Sequence, residues 1–269
     1  VSFDDRSTEM LAAEQLRVFS ATQVGDGLPD STEELDARIG AFGLTNLNFW
    51  FGHERFAFGL RDSVLMRRKL LNALLVTDSA CRSWGAEGPC TMVQELGGFL
   101  SVIGSYFAAR HHGIDNWFIE PSFFRGRLFF LRNTFKALQL GSLADGPVPT
   151  EVRSYLEETI AKGAIVVPLK DSHHYRAAWK KVINARNARR LIEKTVDKHV
   201  HQRTQEFGYI RRHAETHAKM VWNSIQLMKY CTPLEACGRF VYYPLHVPAD
   251  VALTLRTPHF MDQLTLIEY

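Results

Sequence analysis

The chain has 269 residues, 46% of them hydrophobic and 23% charged, a balance that excludes disordered and fibrous classes and fits one or two globular domains. The net charge of +3 is too small to specify a nucleic-acid or acidic partner. The longest uncharged apolar run, residues 96–109, falls short of the roughly 20 residues a membrane span needs.

Charge is unevenly spread. Between Lys170 and Lys219 there are 13 Lys and Arg against 5 Asp and Glu, a local +8 that leaves −5 for the remainder. The four cysteines, Cys81, Cys90, Cys231 and Cys237, form no CxxC pair and read as free thiols of a reducing compartment.

Val1-Ser2-Phe3 reads as the end of a strand. Ser7 can cap a helix running to about Phe19, with Met10, Leu11 and Leu16 on its apolar side. Residues 20–32 are rich in Gly, Pro and Asp and predict a loop. A long helical region follows from about Phe56 to Trp84.

The middle of the chain is the clearest α/β unit. Thr91-Met92-Val93 predicts a short strand, Glu95-Leu96-Gly97-Gly98 a turn, and Phe99–His111 a helix closed by Gly113 as its C′ residue. Asn116-Trp117-Phe118-Ile119 predicts the next strand. Strand, Gly-containing turn, helix, strand implies a parallel pair with a right-handed crossover. Ligands of such sheets lie beyond the carboxyl ends of the strands, here Gln94-Glu95 and Glu120-Pro121-Ser122.

Ser142–Pro149 predicts a linker or turn. Helices are expected from about Thr150 to Lys162 and from about Ser172 to Tyr230, the second broken near Gly208. Arg239-Phe240-Val241-Tyr242-Tyr243 predicts a strand ended by Pro244, and a last helix starts near Pro258 or His259. The sequence opens without Met and closes in an apolar-periodic stretch with no Gly, Asn or Pro stop, so it is expected to be a piece of a longer protein.

Three places carry chemistry-bearing residues. Glu120 follows an apolar strand directly, is held extended by Pro121, and lies among Phe118, Phe123, Phe124, Arg125 and Arg127. A carboxyl on aromatic surface suits a general acid or base, and the arginines suit an anionic substrate; the plain alternative is a salt bridge at a strand end. Glu95, Gly97 and Gly98 could bring backbone N–H groups to an anion, or simply allow tight helix–strand packing. In the loop 243–250, His246 and Asp250 sit between prolines, with His259 nine residues on. An Asp can act as nucleophile or base and a His can donate to a leaving phosphate; an Asx turn with solvent-facing histidines is the alternative.

His173, His174, His199, His201, His213 and His217 crowd the basic block, but no carboxylate completes an HExxH pattern. A solvated helix face is expected there, with no metal and no cofactor. The block itself is a solvated face or a dock for anionic lipid, at about 1 kcal/mol per basic residue near the surface. No nucleic-acid motif accompanies it.

Ile119-Glu120-Pro121-Ser122-Phe123-Phe124-Arg125-Gly126 and Phe240-Val241-Tyr242-Tyr243-Pro244-Leu245-His246-Val247-Pro248-Ala249-Asp250 resemble two motifs of the bacterial capsule polysaccharide biosynthesis family, which includes Kdo-transferring glycosyltransferases. Val1-Ser2-Phe3 resembles the second strand of the family's N-lobe. The resemblance implies a GT-B architecture of two Rossmann-like lobes. Residues 1–149 would be an acceptor-side parallel-sheet lobe lacking its first strand, 150–238 a basic helical insertion, and 239–269 the start of a donor-side lobe. It implies transfer from a nucleotide sugar, CMP-Kdo being one candidate, to a polysaccharide or lipid-linked acceptor in the cytoplasm, with residues 170–219 against the inner membrane. Glu120 would be the acceptor-side acid/base and Asp250 the nucleophile or donor-side carboxylate, with His246 where the family often has Gln. Ser122, Arg125, Arg127, Glu95, Gly97, Gly98 and His259 would bind substrate. A Lys-x-His-Pro motif that grips the donor phosphate would fall after Tyr269, so this piece alone is expected to be inactive. A sugar-nucleotide epimerase of the same architecture and a non-catalytic docking module are the competing readings.

Overall fold

The computed structural model describes residues 1–24, 27–122, 127–137, 147–162, 184–233, 236–239, 241 and 250–268. Its architecture is α/β, a three-stranded sheet with helices packed on it. Strands β1 (Thr91–Glu95), β2 (Asp115–Pro121) and β3 (Leu128–Arg132) lie in the order β1-β2-β3. β1 and β2 run parallel with Val93 opposite Trp117, as the sequence pattern predicts. β3 runs antiparallel to β2 with Leu131 opposite Phe118, so the sheet is mixed rather than parallel throughout.

Before the sheet come α1 (Asp5–Ala13), α2 (Thr32–Gly40), α3 (Leu47–Trp50), α4 (Gly52–Phe58) and α5 (Ser63–Gly85). Helix α1 is capped by Asp4, which accepts the Ser7 N–H at 2.8 Å and the Ser7 hydroxyl at 2.7 Å. It stops at Ala13, short of Phe19, and Gln15 is left-handed at φ 58°. The expected opening strand is a single bridge, Ser2 to Ser20. The helical region from Phe56 to Trp84 is divided by left-handed Gly59 (φ 62°), after which Asp62 caps α5 by accepting the Leu65 N–H.

Helix α6 (Leu100–His111) joins the two parallel strands and is buried along most of its length. It closes at Gly113, whose φ of 67° few other residues tolerate. A Cβ on Gly104 would lie 2.7 Å from that of Ala73, so a glycine is what lets α6 approach α5 this closely. Thr77 and Ser105, both buried, satisfy each other across the same contact at 3.0 Å. Leu70, Leu74, Leu100, Ile103, Phe118 and Leu131 fill the space between these helices and the sheet.

Downstream, α7 (Thr150–Ala161), α8 (Ala185–His199) and α9 (Ile210–Leu227) bury no residue fully. The expected break near Gly208 is the connection 200–209 between α8 and α9. That connection docks on the core. Phe207 packs on Phe58 and Phe99, with centroids 5.3 and 4.7 Å apart, and the Arg212 guanidinium donates to the carbonyls of Phe58 and Gly59. Part of the predicted helix before Asn184 and most of the strand predicted over 239–243 lie outside the described residues; Arg239 and Val241 belong to no strand. A π-helical turn (Ala252–Arg256), a 3₁₀ turn (Pro258–Phe260) and α10 (Gln263–Glu268) end the described chain.

Phe118 is fully buried at the centre of the sheet. Phe118→Ala is expected to lower the unfolding free energy by about 3–5 kcal/mol, read by urea denaturation; a loss under about 1 kcal/mol would remove Phe118 from the core.

Candidate functional site

The carboxyl end of β2 meets the π turn. Glu120, near the end of β2, is held by Arg256 in a two-pronged pair, with Nη1 donating to Oε1 at 2.8 Å and Nη2 to Oε2 at 2.7 Å. The Arg256 Nε donates to the Phe135 carbonyl at 2.9 Å, which fixes the plane of the fork. The side chains of Arg256 and Glu120 are 13% and 26% exposed, so water screens the pair only in part. The fork uses one lone pair on each Glu120 oxygen and leaves the others able to accept.

Asp250 opens the same turn. Its Oδ1 accepts the Ala252 N–H at 2.8 Å, and its carbonyl accepts the N–H groups of Leu253 and Thr254. The side chain is exposed and only one carboxylate oxygen takes part in the cap. Asp250 and Glu120 therefore stand at the two ends of one short helical element, one as its cap and the other gripped by its last side chain.

Thr254 ties the turn to helix α4. Its hydroxyl donates to the Asp250 carbonyl at 3.0 Å and lies 2.8 Å from His53 Nδ1. With the hydroxyl proton committed, His53 Nδ1 is the donor in that bond. Burial pushes the His53 pKa down, against the opposing charges of Glu54 and Asp250. Gly98 presses on this ring: a Cβ there would lie 2.6 Å from His53 Cβ and 2.7 Å from Nδ1. A Cβ on Gly97 would meet only ordinary contacts at 3.6 Å.

The N-terminus of α6, where an anionic ligand could be expected, already holds a carboxylate of the protein. Glu54, fully buried, accepts the Leu100 N–H at 3.1 Å and Lys69 Nζ at 2.7 Å through Oε1. Gly98 is thus a packing glycine and the helix end is neutralised from within.

The other predicted residues scatter. Glu95 is exposed at the end of β1, and His259 is exposed in the 3₁₀ turn. The Ser122 N–H donates to the carbonyl of exposed Arg127 at 3.2 Å across the connection between β2 and β3. His246 and Arg125 lie outside the described residues. Arg256, Thr254 and His53, which organise the site, were missed. For Arg256 the available signal was its position six residues past Asp250; His53 carried none. Among the described residues no cluster of His, Cys, Asp or Glu could hold a metal ion.

Comparison with protein-family models, with curated proteins and with solved structures found no match.

Two outcomes follow from this geometry. Gly98→Ala is expected to destabilise by about 1–3 kcal/mol through the clash with His53, while Gly97→Ala stays within about 1 kcal/mol of wild type; equal effects in thermal melts would contradict the close approach. His53 has a folded pKa below its usual 6.5, so the unfolded chain binds the proton more readily. Its contribution is intact above that value and is lost as pH falls through the lower folded value. Denaturant titrations between about pH 7.5 and 5 should show a steeper acid-side loss for wild type than for His53→Gln.

Proposed function

We propose that this chain carries the acceptor-side lobe of a GT-B glycosyltransferase that moves a sugar from a nucleotide donor to a surface polysaccharide or glycolipid acceptor. The α/β unit at 91–121 supports this reading, as does the resemblance of residues 119–126 and 240–250 to capsule biosynthesis proteins. The observation that carries it is the turn from Asp250 to Arg256, which sets two carboxylates from distant parts of the sequence at the ends of one rigid element beyond the carboxyl end of β2.

In this reading an acceptor hydroxyl approaches a free lone pair of Glu120 and transfers its proton there as its oxygen bonds to the anomeric carbon. The bond from that carbon to the nucleotide phosphate breaks, and the phosphate leaves with the electron pair. Arg256 holds the Glu120 carboxylate in one orientation, which removes the cost of ordering it during reaction. The exposed oxygen of Asp250 faces the donor and stabilises positive charge developing on its sugar ring.

In the full-length protein, Glu120→Gln and Asp250→Asn are each expected to lower sugar transfer by about 10²–10⁴-fold; Asp250→Asn keeps the cap and the melting temperature, whereas Glu120→Gln also loses the Arg256 fork and melts lower. Normal transfer by both variants would sink the assignment. Arg256→Lys keeps the charge and loses the fork, so turnover should fall by about tenfold or more while donor binding persists.

A second reading concerns the basic helices. Residues 184–230 hold ten Lys and Arg against four Asp and Glu. Their helices expose Ile192 on α8 and Trp222 and Ile225 on α9, apolar side chains among cations, a composition suited to a lipid interface. No described helix is long and apolar enough to cross a membrane. Flotation with vesicles containing anionic lipid is expected to carry the protein at low salt and release it at high salt; absence of flotation at both would remove this reading.

A further inference from the structure

A groove of about 930 Å³ runs between α8 and α9. Leu191, Ile210, Val221, Trp222 and Ile225 give it an apolar surface, and Arg190, Lys194, His213 and His217 supply its polar groups. No Asp or Glu is among the described residues that line it. The acids of the two helices are engaged with arginines, Glu193 with Arg189, Asp197 with Arg203 and Glu215 with Arg211. Leu191, Trp222 and Ile225 are exposed, although an apolar helix stripe is normally buried against another element.

The same chain carries a second exposed stripe. Helix α7 buries no residue. Val152, Leu156 and Ile160, four residues apart and so on one face, are all exposed, Ile160 at 77%. The charge of α7 is opposite to that of the groove, with Glu151, Glu157 and Glu158 against Arg153. Helical spacing puts Glu151 and Glu158 together on one flank of the stripe. No α7 residue lines the groove of its own copy.

The chemistry of an occupant follows from charge and shape. A second α8–α9 face would set cation against cation. Residues 163–183 hold four Lys and Arg against one Asp and would be repelled in the same way. A membrane would lie across the groove and leave its floor unfilled. A single lipid brings one anionic head, whereas Arg190 and Lys194 are spaced a turn apart along α8. An acidic helix with an apolar stripe matches both the floor and the cations, and α7 is such a helix.

We propose that α7 of one copy seats in the α8–α9 groove of a second, and that the exchange is reciprocal, giving a dimer with a two-fold axis. The α7 stripe then lies on the apolar floor, and the α7 glutamates meet Arg190 and Lys194. The inference does not rest on the transferase reading. It gives to protein the side chains Trp222 and Ile225 that the lipid reading gives to a vesicle, so the experiment must separate the two.

The test is sedimentation equilibrium on the intact chain from about 1 to 100 μM. Wild type is expected to pass from monomer to dimer across that range. Leu156→Glu on α7 and Trp222→Glu in the groove are each expected to raise the dissociation constant by more than about tenfold. Both side chains are exposed, so helix content by circular dichroism should not change. Mixing the two variants restores one intact contact, α7 of the Trp222→Glu chain in the groove of the Leu156→Glu chain. The mixture is therefore expected to dimerise where neither variant does alone. A monomeric wild type, a dimer indifferent to both substitutions, or a mixture that stays monomeric would each overturn the proposal. A monomeric chain carried by anionic vesicles equally well with and without Leu156→Glu is the lipid outcome, and it overturns the proposal too.

Discussion

One buried carboxylate ties the molecule together. Glu54 reaches from α4 to the ammonium of Lys69 on α5 and to the first N–H of α6, with none of its side chain in water. Removing a charge from water costs several kcal/mol unless partners replace the solvent. Lys69 and the positive end of the α6 dipole are its partners, both at Oε1. Three helices must be in register for the carboxylate to be tolerated, so Glu54 specifies their arrangement more than it stabilises it. Lys69 extends the same arrangement outward, because its ammonium lies 4.6 Å from the Phe207 ring and so meets the 200–209 connection.

The second constraint is the π turn, two of whose side chains reach distant parts of the chain. Its hydroxyl at Thr254 meets α4 and its guanidinium at Arg256 meets β2 and the Phe135 carbonyl. The turn thus bridges the helical layer and the sheet edge. Because Gly98 leaves no room beside His53, the loop after β1 is pinned against the same ring. The π turn, α4, the end of β2 and the loop after β1 therefore meet at one junction.

Much of the central fold was legible because its signals are local. The apolar runs at 91–93 and 116–119, the intervening helix and Gly113 sit within thirty residues, and the parallel pair follows from them. The strand β3 was passed over although Leu128–Leu131 is an apolar run, since nothing nearby marks it as pairing backwards onto β2. The helix start at Asp4 rather than Ser7 is a smaller version of the same problem: both residues can cap, and here Ser7 serves as a donor to the true cap. The site was legible only in half. Glu120 and Asp250 announce themselves by strand-end and loop positions, but the Arg256 pair spans 136 positions and the His53–Thr254 bond spans 201. Such pairings leave no periodicity to read, and they decide whether a strand-end Glu faces solvent or a guanidinium.

The Arg212 guanidinium closes the carboxyl end of α4 from 154 positions away, at the Phe58 carbonyl. On the ribosome, α4 and its neighbours emerge long before Arg212 does. The helix that presents His53 and Glu54 therefore ends on left-handed Gly59 and water until about half the chain more is made. Closing so long a loop has an entropic cost, so this partner of the Phe58 carbonyl reaches it only once α9 has been made.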